Sequence, residues 1–226
     1  MVTLRLITPA PADEHGPLPP HATPQRPARH GLRWLERLLL VLGIVLLGYY
    51  GYVSAETYLY QRYENKELDA ILASAPITSG TPAATRRTPG RGEMIGRVEI
   101  PRLDVSAIVR AGSDARTLQL AVGHIPGTAL PGERGNVGLA GHRDTFFRRL
   151  QNIKADDEIR VVTPEGVFAY RVDRTVIVEP SDVWVLDASG NASTLTLVTC
   201  YPFTYVGSAP QRFIVRASLI PLVATR

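Results

Sequence analysis

Three residue types in this chain could carry acyl-transfer chemistry. It has a single cysteine, Cys200, two histidines beyond residue 100, His124 and His142, and arginines at 212 and 216. A thiolate attacks a carbonyl carbon, an imidazolium protonates the departing amine, and a guanidinium can hydrogen-bond the developing oxyanion. One cysteine excludes an intramolecular disulfide and cannot by itself build a thiolate metal site. A cysteine and a histidine at ordinary pKa values are both in the productive state in roughly 1% of molecules at pH 7. Mutual pairing of the two charges would raise that fraction.

The elements that must position these groups are strands. Thr196-Leu197-Val198-Thr199-Cys200 alternates and stops before Tyr201-Pro202, where the proline cannot carry a sheet ladder onward. The thiol is thereby expected at an exposed strand end, on a rigid element that preserves orientation. The plainer alternative is a small buried hydrophobe. Parity places Leu195 and Leu197 on the core face and Thr194, Thr196, Val198 and Cys200 on the other. His142 closes Asn136–His142, sharing a face with Gly138 and Ala140, opposite Val137 and Leu139. In the last strand Arg212, Ile214 and Arg216 face away from Phe213 and Val215. Cys200, His142 and Arg212 thus each lie opposite the bulky residues of their own strand. Gly138, Ala140, Thr196 and Val198 beside them leave room for an extended peptide. A bulge in any strand would reverse this assignment.

Each candidate has a competitor. Arg216 shares a face with Arg212, and Arg212 is preferred because it opens its strand and lies nearer the strand end. His124, in Gly123-His124-Ile125-Pro126-Gly127, reads as a structural turn residue. Asp144 either orients the imidazole or, as preferred here, caps a helix before Thr145-Phe146-Phe147.

Period-two runs fill the chain from Glu93 to Arg226, 134 residues that can hold one compact core. They include Val98–Ile100, Val105–Val109, Val137–Ala140, Ile159–Val162, Val167–Val172, Val176–Val178, Thr194–Thr199 and Phe213–Leu219. Thr163-Pro164-Glu165-Gly166 between two of them fits a type I turn. Many short strands with turn signals predict an all-β, closed or nearly closed barrel. Helical patches are few, with Asp144–Asn152 the best and Ser113–Leu120 next.

Leu38 to Ala55 carries no charge, and at about 1.5 Å per helical residue its 18 positions span roughly 27 Å, near the thickness of a bilayer core. Arg26, Arg29, Arg33 and Arg37 precede the run, while Glu56, Glu64, Glu67 and Asp69 outnumber Arg62 and Lys66 after it. The positive-inside bias predicts a single-pass cell-membrane protein, N-terminus cytoplasmic and catalytic domain extracytoplasmic. Val53-Ser54-Ala55 has the look of a cleavage site, but about 37 residues precede the run, too many for an ordinary signal peptide. The expected organisation is a disordered tail over 1–34, an anchor over 35–56, a juxtamembrane helix and linker over 57–92, and a catalytic domain over 93–226. Residues 8–31 hold seven prolines and few large apolar groups. The net charge of +4 is dispersed, with no aromatic-basic interleaving, which argues against a nucleic-acid partner.

Taken together, these residues resemble the sortases, membrane-anchored cysteine transpeptidases of bacterial surfaces. Thr196–Cys200 matches the family's TLxTC motif, Leu139-Ala140-Gly141-His142 matches the segment bearing its histidine, and Arg212 follows on the last strand. Cys200-Tyr201-Pro202-Phe203 and Gly123-His124-Ile125-Pro126-Gly127 are most like class D members. The resemblance implies an eight-stranded sortase-type β-barrel with short helices. It implies Cys200 as nucleophile, His142 as general acid and Arg212 as oxyanion or substrate donor, with Ala140 and Val198 lining the groove. The implied reaction cleaves an LPxTG-like sorting signal between Thr and Gly. The implied partners are surface proteins bearing that signal and an amine acceptor such as a cell-wall peptide or pilin lysine. No cofactor is expected, and no acidic cluster supports the calcium some relatives bind. The competing readings are a cysteine peptidase that hydrolyses its acyl-enzyme and a non-catalytic peptide-binding module.

Overall fold

The computed structural model describes residues 29–74, 87–188, 190 and 192–221. Most of the expected tail (1–28) and much of the linker (75–86) lie outside the described residues.

A leucine-rich stretch free of proline from residue 29 to residue 75 forms helix α1, Arg29–Ser74. It holds an 18-residue window of mean hydropathy 2.0, none of it buried by protein, and is long and apolar enough to cross a membrane. The compact unit that contains the barrel begins at Tyr50. Polar and apolar side chains of residues 50–74 tie them to it. The Gln61 amide accepts from the Ile108 N–H (3.0 Å) and donates to the Leu120 carbonyl (2.7 Å). Glu64, only 7% exposed, accepts from Arg110 (2.8 Å), and Arg97 donates to Asn65 and Asp69. Leu68 is fully buried against Ile108 and Ala121. Replacing Leu68 by Ala is expected to cost about 2–5 kcal/mol of unfolding free energy, read by chemical denaturation. A loss below about 1 kcal/mol would mean that this stretch of helix is not part of the folded unit.

Eight strands close into a barrel in the order β1-β2-β3-β4-β7-β8-β6-β5. They are β1 Met94–Ile100, β2 Val105–Ala111, β3 Val122–His124, β4 Gly135–Ala140, β5 Glu158–Thr163, β6 Gly166–Val178, β7 Ser193–Tyr201 and β8 Gln211–Leu219. The β2/β3 and β4/β7 pairs are parallel and the others antiparallel. The alternation read from the sequence sends Val98, Ile100, Leu139, Ile159, Leu195, Leu197 and Val215 into one central core. Closure leaves no free sheet edge.

Three local expectations differ from the structure. Val122–His124 is a strand, too short for its period to be visible. The two runs at 167–172 and 176–178 are one strand, β6, whose register with β8 shifts between Val172 and Arg174. The helix expected over Asp144–Asn152 is a turn followed by a 3₁₀ segment, Arg148–Asn152, whose first residue is preceded by Phe147. Asp144 therefore does not cap it. By contrast, Asp114 does cap helix α2, Ala115–Leu120, accepting from the Thr117 N–H.

Candidate active site

Cys200 is the penultimate residue of β7 and is half-buried. The β7/β8 register places it directly opposite Arg212, one pair before the ladder ends at Tyr201 and Gln211. On its other side β4 runs parallel to β7, with Ala140 paired to Val198. The Gly141 N–H still donates to the Val198 carbonyl (3.1 Å), and the Thr199 hydroxyl donates to the Gly141 carbonyl (2.7 Å). β4 ends at Ala140, two residues before His142, as its partner Val198 lies two residues before Cys200. The β7/β8 ladder thus brings Cys200 and Arg212 together, and the segment bearing His142 leaves the end of β4 on the other side of β7.

The path of the His142 segment depends on Gly141. A Cβ there would stand 2.7 Å from the fully buried Phe147 ring, too close for any other residue without a shift. The Phe147 N–H in turn donates to the His142 carbonyl (3.0 Å). The imidazole is exposed, and among the described residues no hydrogen bond joins it to Asp144. Arg212 is half-buried, with Nη1 donating to the carbonyls of Ala209 (3.2 Å) and Gln211 (2.9 Å). Beyond Cys200 the chain passes a cis Tyr201–Pro202 bond, and Tyr201, Phe203 and Phe213 pack their rings at centroid distances of 5.3–6.3 Å.

The structure separates the two candidate arginines. Arg216 lies four pairs deeper, opposite Thr196, and its Nη1 donates to the Val185 carbonyl (2.6 Å) and Thr196 Oγ1 (3.3 Å). Burial first, then the nearby Arg174 charge, push its pKa below the ordinary arginine value. It serves the cover over the sheet. That cover is a 3₁₀ turn, Val183–Leu186, whose Val185 packs with Val178 and Ile214 against the outer face, with Val198 alongside.

The expected groove is accordingly narrower than the sequence suggested. Thr196, expected to line it, is fully buried, its hydroxyl donating to Asn136 Oδ1 (2.8 Å) beneath the Val185 carbonyl. Parity put Thr196 on the right face, but nothing in the β7 pattern announced that another segment covers it. Ala140 and Val198 remain half-exposed. Among the described residues no group of three His, Cys, Asp or Glu side chains gathers as a metal set.

His124 sits apart from these residues. It ends β3, paired with Leu139 and Ala111, and is buried with Nε2 2.8 Å from the Ala129 carbonyl. Burial holds its pKa below 6.5, although the Ala129 carbonyl and Glu133 pull the other way. The unfolded chain therefore takes up a proton near pH 6.5 that the folded chain refuses until lower pH. The stability contributed by the neutral ring is whole above about pH 6.5 and declines as pH falls below it. Thermal midpoints measured against pH should fall on that limb, and His124→Gln should flatten it. Asp114, held near a pKa of about 2 by hydrogen bonds from Thr117, loses its contribution only in the separate window below 3.8.

A family model described as "Sortase domain" matches residues 98–220. Sortase D of Bacillus subtilis (strain 168) is 33% identical over 184 residues, covering 78% of this chain and 93% of its own length. Among solved structures, a sortase D5 transpeptidase of Clostridium perfringens aligns at TM-score 0.54 and 28% identity, over 70% of this chain and 89% of the other. Sortase C1 of Streptococcus suis aligns at TM-score 0.55 and 33% identity, over 59% and 76%.

Proposed function

Because this chain belongs to the sortase family of cysteine transpeptidases, most like class D, we propose that Cys200, His142 and Arg212 are its catalytic residues. The observation that carries the reading is register: Cys200 pairs directly with Arg212, and the β4/β7 ladder ends at Ala140 and Val198, two residues short of His142 and of Cys200.

The substrate is a surface protein with an LPxTG-like sorting signal, laid along Ala140 and Val198. Cys200 Sγ attacks the threonine carbonyl carbon, and the thioester forms as the Thr–Gly C–N bond breaks. His142 gives its proton to the departing glycine amine. The Arg212 guanidinium, fixed across the ladder, hydrogen-bonds the oxyanion of the tetrahedral intermediate. An amine acceptor, such as a cell-wall peptide or pilin lysine, then attacks the thioester and restores the thiol. The arginines before the apolar stretch of α1 keep the N-terminus cytoplasmic, and the catalytic domain works outside the membrane.

Product analysis tests this reading. With an LPxTG-like peptide and an added amine, the main product should be the peptide joined to that amine. A product ratio that ignores the amine and gives only hydrolysed peptide would favour a peptidase. No cleavage by folded protein across a panel of sorting-signal variants would favour a binding module.

A further inference from the structure

Arg143 follows His142 and takes no part in the proposed chemistry, yet it joins the two halves of the site. Its Nη2 donates to the backbone carbonyls of Tyr205 (2.6 Å) and Gly207 (3.0 Å), and its guanidinium carbon stands 5.9 Å from the Tyr205 ring centroid. Tyr205 and Gly207 lie in the loop between Tyr201, the end of β7, and Gln211, the start of β8. That loop connects Cys200 to Arg212. One side chain thus spans from the segment bearing His142 to the loop that links the other two members of the trio.

Among the described residues, the tip of this loop has few other ties, one being the Tyr205 N–H donating to the Pro202 carbonyl (3.3 Å). Its root is packed by the Tyr201, Phe203 and Phe213 rings, but Val206 is 93% exposed and Tyr205 47%. The Arg143 Nη1 is buried with no acceptor among the described residues. A buried guanidinium N–H left unpaired is costly. The residue's value to stability is correspondingly small, while two charge-assisted bonds from a rigid fork define the loop's position closely.

We propose that Arg143 is a positioning residue: by fastening the loop at Tyr205–Gly207 to the His142 segment, it sets the approach of His142 to the Cys200–Arg212 pair. This rests on the assignment of the trio under Proposed function. Arg143 acts through the loop and touches neither the scissile bond nor the thiol in the proposed step.

The test uses the full chain in detergent, with Arg143→Met, which keeps the apolar stem and removes both bonds, and Arg143→Lys, which keeps the charge without the fork. Two readings are taken without substrate: amide hydrogen exchange over residues 203–208, and the rate of Cys200 alkylation by iodoacetamide. A third is kcat and KM for acyl-enzyme formation with an LPxTG-like peptide. For Arg143→Met the proposal expects exchange about tenfold faster in the loop, altered alkylation, and kcat lower by about tenfold at little change in KM or thermal midpoint. Arg143→Lys should recover part of each. Unchanged loop exchange would overturn the proposal. So would faster exchange with unaltered alkylation and acylation, or a loss that merely tracks the unfolded fraction. If Arg143→Met does not fold, the same readings on Arg143→Lys decide. If the unaltered protein forms no acyl-enzyme, the functional reading fails, and the two substrate-free readings still judge Arg143.

Discussion

Replacing Cys200 by alanine is expected to abolish both cleavage and transfer. The chain has no second thiol, so no thioester can form elsewhere. The loss should be complete to the detection limit of chromatographic product analysis, with an unchanged circular dichroism spectrum. Cys200 is only half-buried at a strand end, and truncating its side chain there removes little packing. A variant that still cleaved the sorting signal would move the nucleophile away from β7.

Arg212→Ala is expected to lower the rate of acyl-enzyme formation by about 10²–10³, the usual cost of one lost oxyanion donor. Arg212→Lys should restore only part of it, because an ammonium cannot reproduce the guanidinium fork. The measurement is burst-phase kinetics with a sorting-signal peptide. Arg216→Ala is the control. Arg216 is tied to the Val185 carbonyl and Thr196 four pairs deeper, so its removal should loosen the cover at Val183–Leu186 and lower stability, leaving the burst amplitude of the folded fraction largely intact. Equal rate losses in both variants would mean that strand position does not distinguish them.

The barrel and the faces taken by Cys200 and Arg212 were legible because both follow from period two. Leu195, Leu197 and Val215 announced the core face, so their neighbours Cys200 and Arg212 fell on the other. What escaped was whatever depends on segments distant in sequence. Thr196 reads as a small groove residue until the turn at Val183–Leu186 is laid over it. Ile108 reads as an outward residue on an alternating strand until Leu68 of α1 covers it. The Gln61 amide bonds to Ile108 and Leu120, which no local pattern foretells, and they tie this stretch of α1 to the unit that begins at Tyr50. The helix expected after Asp144 fails for a local reason. The Phe147 N–H is spent on the His142 carbonyl, five residues back, and the chain tightens into a 3₁₀ turn only beyond it.

Intact-mass spectrometry of the protein mixed with an LPxTG-like peptide tests the central claim most directly. The account predicts one adduct, equal in mass to the peptide up to its threonine less one water, carried on Cys200, discharged by an added amine and absent from Cys200→Ala. A peptide cleaved without any adduct on the unaltered protein, or an adduct that persists in Cys200→Ala, would contradict it.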